Sequence, residues 1–149
     1  MGLGYVGSSL AVLLAQNNNV IALDIDQNKV DRINNSLSPV EDEDISMFLS
    51  TKKLNINATT DSKIAYINAE YIVICTPTNF IQTTNSFDTS SVDNVIKSVS
   101  KINKNAFIVI KSTLPIGHTK DLQNKFKNKN ITFSPEFLRE GSALHDNLY

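Results

Sequence analysis

Residues 1–10 read MGLGYVGSSL and contain three of the five glycines of the chain. Their spacing, G-x-G-x-x-G, is typical of the loop that seats the pyrophosphate of a dinucleotide, and it is formed by Gly2, Gly4 and Gly7. Such a loop has a strand leading into it and a helix leaving it. A helix is predicted over Ser8 to Gln16, a run of good helix formers, whereas Met1 alone precedes the first glycine. Because the glycine pattern by itself is weak evidence, its meaning depends on the residues downstream of it.

An acidic residue stands at the distance that a dinucleotide loop requires. Val20 to Leu23 is a short apolar run that predicts a buried parallel strand, and Asp24 comes directly after it. A carboxylate about 20 residues after the loop accepts hydrogen bonds from the adenosine ribose and repels a 2′-phosphate. The sequence therefore predicts binding of NAD rather than NADP. A strand-end cap is the alternative role for this aspartate, and Asp26 could be just such a cap.

The loop glycines and the helix have separate steric roles. Gly2 permits the tight turn, Gly4 lets the backbone approach the pyrophosphate, and Gly7 allows helix and sheet to touch. The first turn of the helix then presents free N–H groups to the phosphates.

Length and charge restrict the class of protein. The 149 residues suffice for one domain with a core, and the net charge is −1. A nearly neutral chain has no basic field to recruit nucleic acid or an anionic membrane surface. The sequence contains no leader pattern, no apolar run of the roughly 20 residues that cross a bilayer, and a single cysteine. We expect a cytoplasmic protein without nucleic-acid or membrane partners. His118 and His145 lack neighbours at metal-ligand spacing, so no metal site is expected.

Predicted strands and helices alternate along the rest of the chain. Apolar runs predict further strands at 54–58, 71–75, 106–110 and 131–133. Helices are predicted at 28–34, 41–50, 62–69, from an N-cap at Asp88, and after Pro115 and Gly117, while TNFIQTTNSF at 78–87 is predicted to be a polar loop. The alternation predicts an α/β fold, a Rossmann-like doubly wound parallel sheet, in one domain over residues 1–149.

The strand that should precede Gly2 is central in a doubly wound sheet. Its buried side chains would contribute about 1.5–3 kcal/mol each. The stability of a whole domain is only about 5–15 kcal/mol. We therefore expect the sheet to lack its first, central strand and the chain to begin inside a domain, as a fragment.

Six motifs in this order and spacing carry a family resemblance: GLGYVG, ALDID, TPTN, FDTSSV, IKSTLPIG and SPEFLREGSALHDNLY. With them the sequence resembles the UDP-glucose/GDP-mannose dehydrogenase family, most closely the N-terminal NAD-binding domain of bacterial members that oxidise UDP-glucose. The resemblance covers essentially all 149 residues. Members of the family begin with a strand before the first glycine and continue through a helical spacer into a C-terminal domain. The resemblance thus implies a chain truncated at both ends.

The activity implied by the resemblance is the oxidation of UDP-glucose to UDP-glucuronate, by two successive hydride transfers from C6 to NAD. The family's cysteine nucleophile lies beyond residue 149, so this chain is implied to supply the NAD-binding domain and part of the active site. We expect the isolated chain to be inactive and the full-length members to be homodimers. The alternatives are a GDP-mannose or UDP-N-acetylmannosamine dehydrogenase, and a truncated, non-catalytic nucleotide-binding remnant.

The resemblance also implies roles for motif residues. Those implied to bind NAD are Gly2, Gly4, Tyr5, Val6, Gly7, Asp24, Lys29, Thr76, Pro77, Thr78, Thr113 and Glu140. Those implied in catalysis are Glu136, Thr113 and Glu140. The UDP-sugar site is implied to be lined by Glu136, Phe137, Leu138, Arg139 and Glu140. Glu136 looks like the carboxylate that is associated with water activation during thioester hydrolysis.

The predicted sheet supports these placements independently. Thr78, Thr113 and Glu136 each come after a predicted strand, and ligands of open parallel sheets bind outside the carboxyl ends of strands. The alternative is that Glu136 and Glu140 form an i,i+4 acidic helix face, with Arg139 as a surface ion-pair partner.

Three further features invite a functional interpretation. Cys75 closes an apolar strand, which favours a buried and inert thiol. Lys111 either adds positive charge beside the site or forms a structural ion pair. The acidic run at 41–44 is predicted to be a solvated helix start.

Overall fold

The computed structural model of the protein describes residues 1–83 and 85–149. They form two compact units, one made of Met1–Ala65 with Phe137–Tyr149 and the other of Tyr66–Glu136. Thr84, within the predicted polar loop, lies outside the described residues. Helix α4 (Ser62–Tyr66) contains the boundary between the units. Among the described residues, no helix has the length and apolar character that a membrane crossing requires.

The first unit begins with a helix. Its elements are α1 (Tyr5–Ala15), β1 (Val20–Leu23), α2 (Gln27–Asn34), α3 (Glu43–Thr51), β2 (Ile56–Thr59) and α7 (Ala143–Leu148). Strands β1 and β2 pair in parallel, with Val20 opposite Ile56 and Leu23 opposite Thr59. The helices and strands enclose a core of apolar side chains: Leu3, Val12, Ala22, Val30, Ile33, Ile45, Leu49, Ala58 and Leu144. Because α7 contributes to this core, the end of the chain belongs to the unit formed by its beginning.

The second unit contains a three-stranded parallel sheet. Its elements are β3 (Tyr71–Ile74), β4 (Asn79–Ile81), β5 (Ser86–Asp88), α5 (Ser90–Ile102), β6 (Phe107–Ile110), α6 (His118–Phe126) and β7 (Ile131–Phe133). The sheet order is β3-β6-β7, and both pairings are parallel. Isoleucines at alternate strand positions are buried, as are the apolar residues of α5: Ile72, Ile74, Ile108, Ile110, Val92, Val95, Ile96 and Val99. The period of two in the strands and of 3.6 in the helix explains this core.

The predicted α/β class with parallel strands is confirmed, and the strand at Val20–Leu23 has the predicted bounds. Helix α1 begins at Tyr5, three residues before the predicted start, because Gly4 serves as its N-cap. In the described residues the parallel strands form two ladders, β1-β2 and β3-β6-β7, and the first element of the chain is α1.

Two local predictions in the second unit are wrong. The segment predicted as a polar loop contains an antiparallel pairing of β4 with β5, in which the Phe80 and Phe87 rings meet edge to face at 5.3 Å. This aromatic pair stabilises a strand pairing within an otherwise polar sequence. Asp88 is not the N-cap of α5 but the last residue of β5, and the N-cap is Thr89. The Asp88 carboxylate nevertheless accepts a hydrogen bond from the Ser90 amide (2.9 Å), so it still serves the start of that helix.

Candidate functional site

The glycine loop of the first unit opens directly into α1. Gly2 has φ +92°, a conformation that favours glycine. The first intrahelical hydrogen bond runs from Ser8 N to Gly4 O (2.9 Å). No described side chain caps the amides of the first turn, which are those of Tyr5, Val6 and Gly7. A helix start leaves such N–H groups without intrahelical acceptors, which makes it an anion-binding surface.

Space is available in front of this loop. A Cβ placed on Gly4 would meet no other described atom within 4 Å beyond its chain neighbours. Gly7, in contrast, is buried within α1. The absence of a side chain at Gly4 is therefore not required by packing in the protein itself. A pyrophosphate that approaches the backbone closely would use that space.

Asp24 is tied to the glycine loop. The residue is only 8% exposed, and its carboxylate accepts hydrogen bonds from the Leu3 amide and from the Asp26 amide, the latter at 2.9 Å. The preceding residues on the two segments are also bonded: the Gly2 amide donates to the Leu23 carbonyl at 2.8 Å. The loop and the end of β1 thus lie side by side, as the sequence spacing predicted. Each carboxylate oxygen can accept a second hydrogen bond, so the two contacts do not use up its capacity.

The residues after Asp24 hold the start of α2. Asp26 is the N-cap of this helix, with its carboxylate accepting from the Asn28 amide at 2.9 Å. The structure therefore assigns the ordinary capping role to Asp26. Lys29 lies half-buried in the first turn of α2.

In the second unit, the predicted site residues lie after the carboxyl ends of neighbouring strands. The ladder continues past the strands themselves, because Lys111 N donates to Ile74 O (2.8 Å) and Ser134 N donates to Ile110 O (3.0 Å). Thr76 and Thr78 come after β3, Thr113 after β6, and Glu136 after β7. The predicted gathering of these strand ends at one sheet edge is present within this unit.

The segment after β3 is fastened to α5. Ser91 Oγ lies 3.0 Å from Thr76 Oγ1 and 2.8 Å from the Pro77 carbonyl oxygen. Thr76 is buried, Thr78 is half-buried and Thr113 is exposed. Ser91 was not predicted from the sequence, although the FDTSSV motif contains it.

An ion pair occupies the same edge. Lys111 Nζ lies 3.0 Å from Glu136 Oε2, and the two side chains are 14% and 17% exposed. The same ammonium donates to Ser134 Oγ at 3.3 Å and to the Pro135 carbonyl at 3.2 Å. Lys111 is thus an ion-pair partner and also a positive charge beside a predicted site residue.

Cys75 directly follows β3 in this unit and is half-buried. Burial raises the pKa of its thiol to about 11. A thiol with so high a pKa forms little thiolate at neutral pH. The prediction of an inert cysteine is supported.

The chain between β7 and α7 is not helical in the region of Glu136 and Glu140. The alternative in which these glutamates form an i,i+4 helix face is therefore wrong. Arg139 does form an ion pair, with Asp146: its Nη2 lies 2.6 Å from Oδ1, while its amide and Nε donate to Oδ2 at 2.8 and 3.1 Å. Hydrogen bonding from Arg139 lowers the pKa of Asp146 to about 2. Glu140 is exposed.

Asp42 holds this last segment within the first unit. The residue is only 4% exposed, and its carboxylate accepts from Ile45 N at 3.0 Å, which caps α3. The other oxygen accepts from Ala143 N (2.8 Å) and Leu144 N (3.4 Å) at the start of α7. The prediction of a solvated acidic helix start is therefore wrong for this residue. The aspartate before an apolar helix signals a cap, but nothing in the sequence indicates the second helix about a hundred residues later.

Residues 1–149 match the sequence model of the NAD binding domain of the UDP-glucose/GDP-mannose dehydrogenase family. The chain is 49% identical over 151 residues to UDP-glucose 6-dehydrogenase of Campylobacter jejuni, and 51% identical over 148 residues to that of Streptococcus pneumoniae. These alignments cover 100% and 99% of the chain but 38% of each relative. The chain therefore spans less than two fifths of the length of these curated relatives.

A solved structure of GDP-mannose dehydrogenase from Pseudomonas aeruginosa, a ternary complex, has the same fold. It superimposes with a TM-score of 0.84 at 25% sequence identity, over 98% of this chain and 37% of the other. This likeness confirms the doubly wound nucleotide-binding architecture that the sequence predicted.

Proposed function

We propose that this chain, which belongs to the UDP-glucose/GDP-mannose dehydrogenase family, binds NAD and serves the oxidation of UDP-glucose to UDP-glucuronate. NAD is the cofactor of this domain family. The observation that carries the proposal is the bonding of the Asp24 carboxylate to the backbone of the glycine loop. It brings a ribose acceptor and a phosphate-binding helix start together within one unit. The two relatives of about 50% identity, both UDP-glucose 6-dehydrogenases, favour UDP-glucose as the substrate.

The first unit is proposed to hold the adenosine diphosphate part of NAD. The amides of Tyr5, Val6 and Gly7 would bind the pyrophosphate, with Gly4 leaving the necessary space. Asp24 would accept from the ribose hydroxyls, and its charge would exclude a 2′-phosphate. Lys29, on the first turn of the next helix, would add positive charge on the phosphate side.

The second unit is proposed to serve the reacting end. NAD supplies the hydride acceptor, and every other task belongs to residues of the protein. Thr76, Thr78 and Thr113 would provide hydroxyls along the cofactor, and Pro77 would contribute its surface. Glu136 would orient and activate a water molecule, since a carboxylate fixed near a reacting water acts as a general base.

The segment from Phe137 to Glu140 is proposed to line the UDP-sugar site. Its course is fixed by the Arg139–Asp146 ion pair and by the Asp42 cap of α7. The Arg139 guanidinium is already paired with Asp146. We therefore propose that backbone groups of this segment recognise the nucleotide. Glu140, exposed in the structure, is proposed to lie beside the nicotinamide.

The substrate is tested in a chimera, because the chain covers 38% of the relatives that carry the activity. Residues 1–149 would replace the aligned segment of the Campylobacter jejuni relative. We expect the highest kcat/KM with UDP-glucose and two NADH formed per sugar. Equal or faster turnover of GDP-mannose or UDP-N-acetylmannosamine would refute the assignment.

A nucleotide-binding module without turnover is the second candidate, and it is favoured by the glycine loop and Asp24 lying together within one unit. The isolated 149-residue chain is expected to bind NAD in calorimetry while producing no NADH with UDP-glucose. Robust NADH production by the isolated chain would contradict this expectation. The cytoplasmic location and a homodimeric full-length protein remain proposals that rest on the composition and on the family resemblance respectively.

A further inference from the structure

The side chain of Lys111 spans the gap between two strand ends in the second unit. Its ammonium contacts three consecutive residues: Ser134 Oγ at 3.3 Å, the Pro135 carbonyl at 3.2 Å and Glu136 Oε2 at 3.0 Å. The ammonium donates hydrogen bonds to the first two groups, and its contact with the carboxylate is an ion pair. The contacts are made to both backbone and side chain.

The topology explains why Lys111 reaches this segment. Strands β6 and β7 are parallel neighbours, with Ile110 opposite Phe133. Lys111 and Ser134 are the next residues on the two strands, and the Ser134 amide still bonds to Ile110 O at 3.0 Å. A residue placed directly after β6 therefore lies beside the residues placed directly after β7.

Both charges of the pair are largely withdrawn from solvent. The side chains of Lys111 and Glu136 are 14% and 17% exposed, and Glu136 Oε2 itself is buried. Removal of Lys111 takes away the positive charge that lies 3.0 Å from the buried Glu136 oxygen, and such a loss is costly where solvent is scarce. An exposed surface pair contributes little because solvent and salt screen it, whereas this half-buried pair is screened much less.

We propose that Lys111 is a positioning residue that aims the Glu136 carboxylate by clamping the Ser134–Glu136 segment to the end of β6. The proposal rests on the proposed role of Glu136 in the dehydrogenase reaction. Lys111 acts on the reaction through Glu136, which it contacts directly. A shift of a catalytic group by about 1 Å costs on the order of 100-fold in rate, so loss of the clamp is expected to lower kcat by one to two orders of magnitude. Binding of NAD by the first unit is unaffected.

The experiment uses the chimera with the Campylobacter jejuni relative and a double-mutant cycle. Lys111→Met is expected to lower kcat by about 10- to 100-fold with the KM for NAD within about twofold. Lys111→Arg keeps the positive charge but replaces the ammonium with a planar guanidinium. Its kcat is expected to lie between that of Lys111→Met and that of the unsubstituted chimera. Lys97→Met, on the exposed face of α5, is the matched control and leaves kcat unchanged.

The cycle distinguishes positioning from a general structural role. If Lys111 acts through Glu136, the double variant Lys111→Met/Glu136→Gln loses no more activity than Glu136→Gln alone. Additive losses, or full activity of Lys111→Met, would overturn the inference. If Lys111→Met fails to fold by circular dichroism, Lys111→Gln takes its place in the same cycle. A chimera that is inactive without any substitution would overturn the proposed function together with the inference, whereas an active chimera with additive losses overturns the inference alone.

Discussion

The glycine loop of the first unit and the strand-end edge of the second hold their polar groups by different means. In the loop, the groups offered to a ligand are backbone amides, and Asp24 holds the loop by bonding to another amide, that of Leu3. At the strand ends, the groups are side chains, and Lys111 holds Glu136 through an ion pair of 3.0 Å. Both arrangements bury a carboxylate, but only the second depends on a partner side chain from another strand.

The two kinds of site are disrupted by different substitutions. A backbone site tolerates most side-chain changes and fails when a Cβ fills the space in front of it. A site made of side chains fails when one member of a pair is removed, because a charge is then left unpaired. The two regions should therefore respond to different kinds of substitution.

The largest effect is expected at the strand ends of the second unit, where the proposed site is made of side chains. In the chimera, Glu136→Gln keeps the shape but removes the base, and kcat is expected to fall by about 100- to 10,000-fold. Steady-state NADH formation measures this loss, and calorimetric NAD affinity should be unchanged. If Glu136→Gln keeps more than half of the kcat, the edge has no general base at this position.

The next largest effect is expected for Asp42, whose substitution shows whether the stability of the first unit depends on one side chain. Asp42→Ala removes caps from the starts of both α3 and α7, at a cost of about 0.5–2 kcal/mol for each helix end. Urea denaturation of the 149-residue chain followed by circular dichroism measures the free energy of unfolding. Glu43→Ala, exposed in the first turn of α3, is the control and should cost less than about 1 kcal/mol. Equal decreases in the free energy of unfolding for both variants would show that the capping of two helices by Asp42 does not stabilise the fold.

A smaller effect is expected in the glycine loop, where substitution of Gly4 should weaken NAD binding without changing the stability of the fold. Gly4→Ala adds a Cβ in open space at φ −83°, so the free energy of unfolding should change by less than about 0.5 kcal/mol. NAD affinity should fall at least about tenfold because the methyl group occupies the pyrophosphate space. Gly2→Ala is the contrasting variant: at φ +92° it should destabilise the fold by about 1–2 kcal/mol. Unchanged NAD affinity in Gly4→Ala would contradict a backbone phosphate site.

The smallest effect concerns the segment before α7. The pKa of Asp146 is lowered to about 2 by hydrogen bonds from Arg139, so the folded carboxylate is stabilised relative to the unfolded one. The pairing is therefore fully present above pH about 4 and is lost as the pH falls toward 2. An NMR titration of the Arg139 Nε–H signal should show this transition, and Asp146→Asn should abolish it. A midpoint near pH 4 would mean that the pair does not form in solution.

The sequence predicted those parts of the fold that depend on local patterns. Val20–Leu23 and the later isoleucine-rich strands were identifiable because short apolar, β-branched runs have few alternatives in a parallel sheet. The adjacency of Asp24 and the glycine loop was predictable from their spacing. The β4–β5 pairing was not identifiable, because its stabilising contact is one aromatic pair within a polar stretch.

Contacts between distant parts of the chain could not be predicted. The double capping by Asp42 joins residues about a hundred positions apart, and no local pattern records such a partner. For Lys111 the sequence left two roles open, since the pairing with Glu136 depends on β6 and β7 being neighbours in the sheet. Strand order is a property of the packed structure.

NAD recognition by Asp24 and the glycine loop is tested most directly by calorimetry of NAD and NADP binding to the 149-residue chain, with and without Asp24→Asn. We expect the unsubstituted chain to prefer NAD, and Asp24→Asn to lose about 1.5–3 kcal/mol of NAD affinity and most of the preference for NAD over NADP. Asp31→Asn, exposed on α2, should leave both affinities unchanged. Equal binding of NAD and NADP by the unsubstituted chain, or undiminished NAD binding by Asp24→Asn, would contradict recognition of the NAD ribose by Asp24.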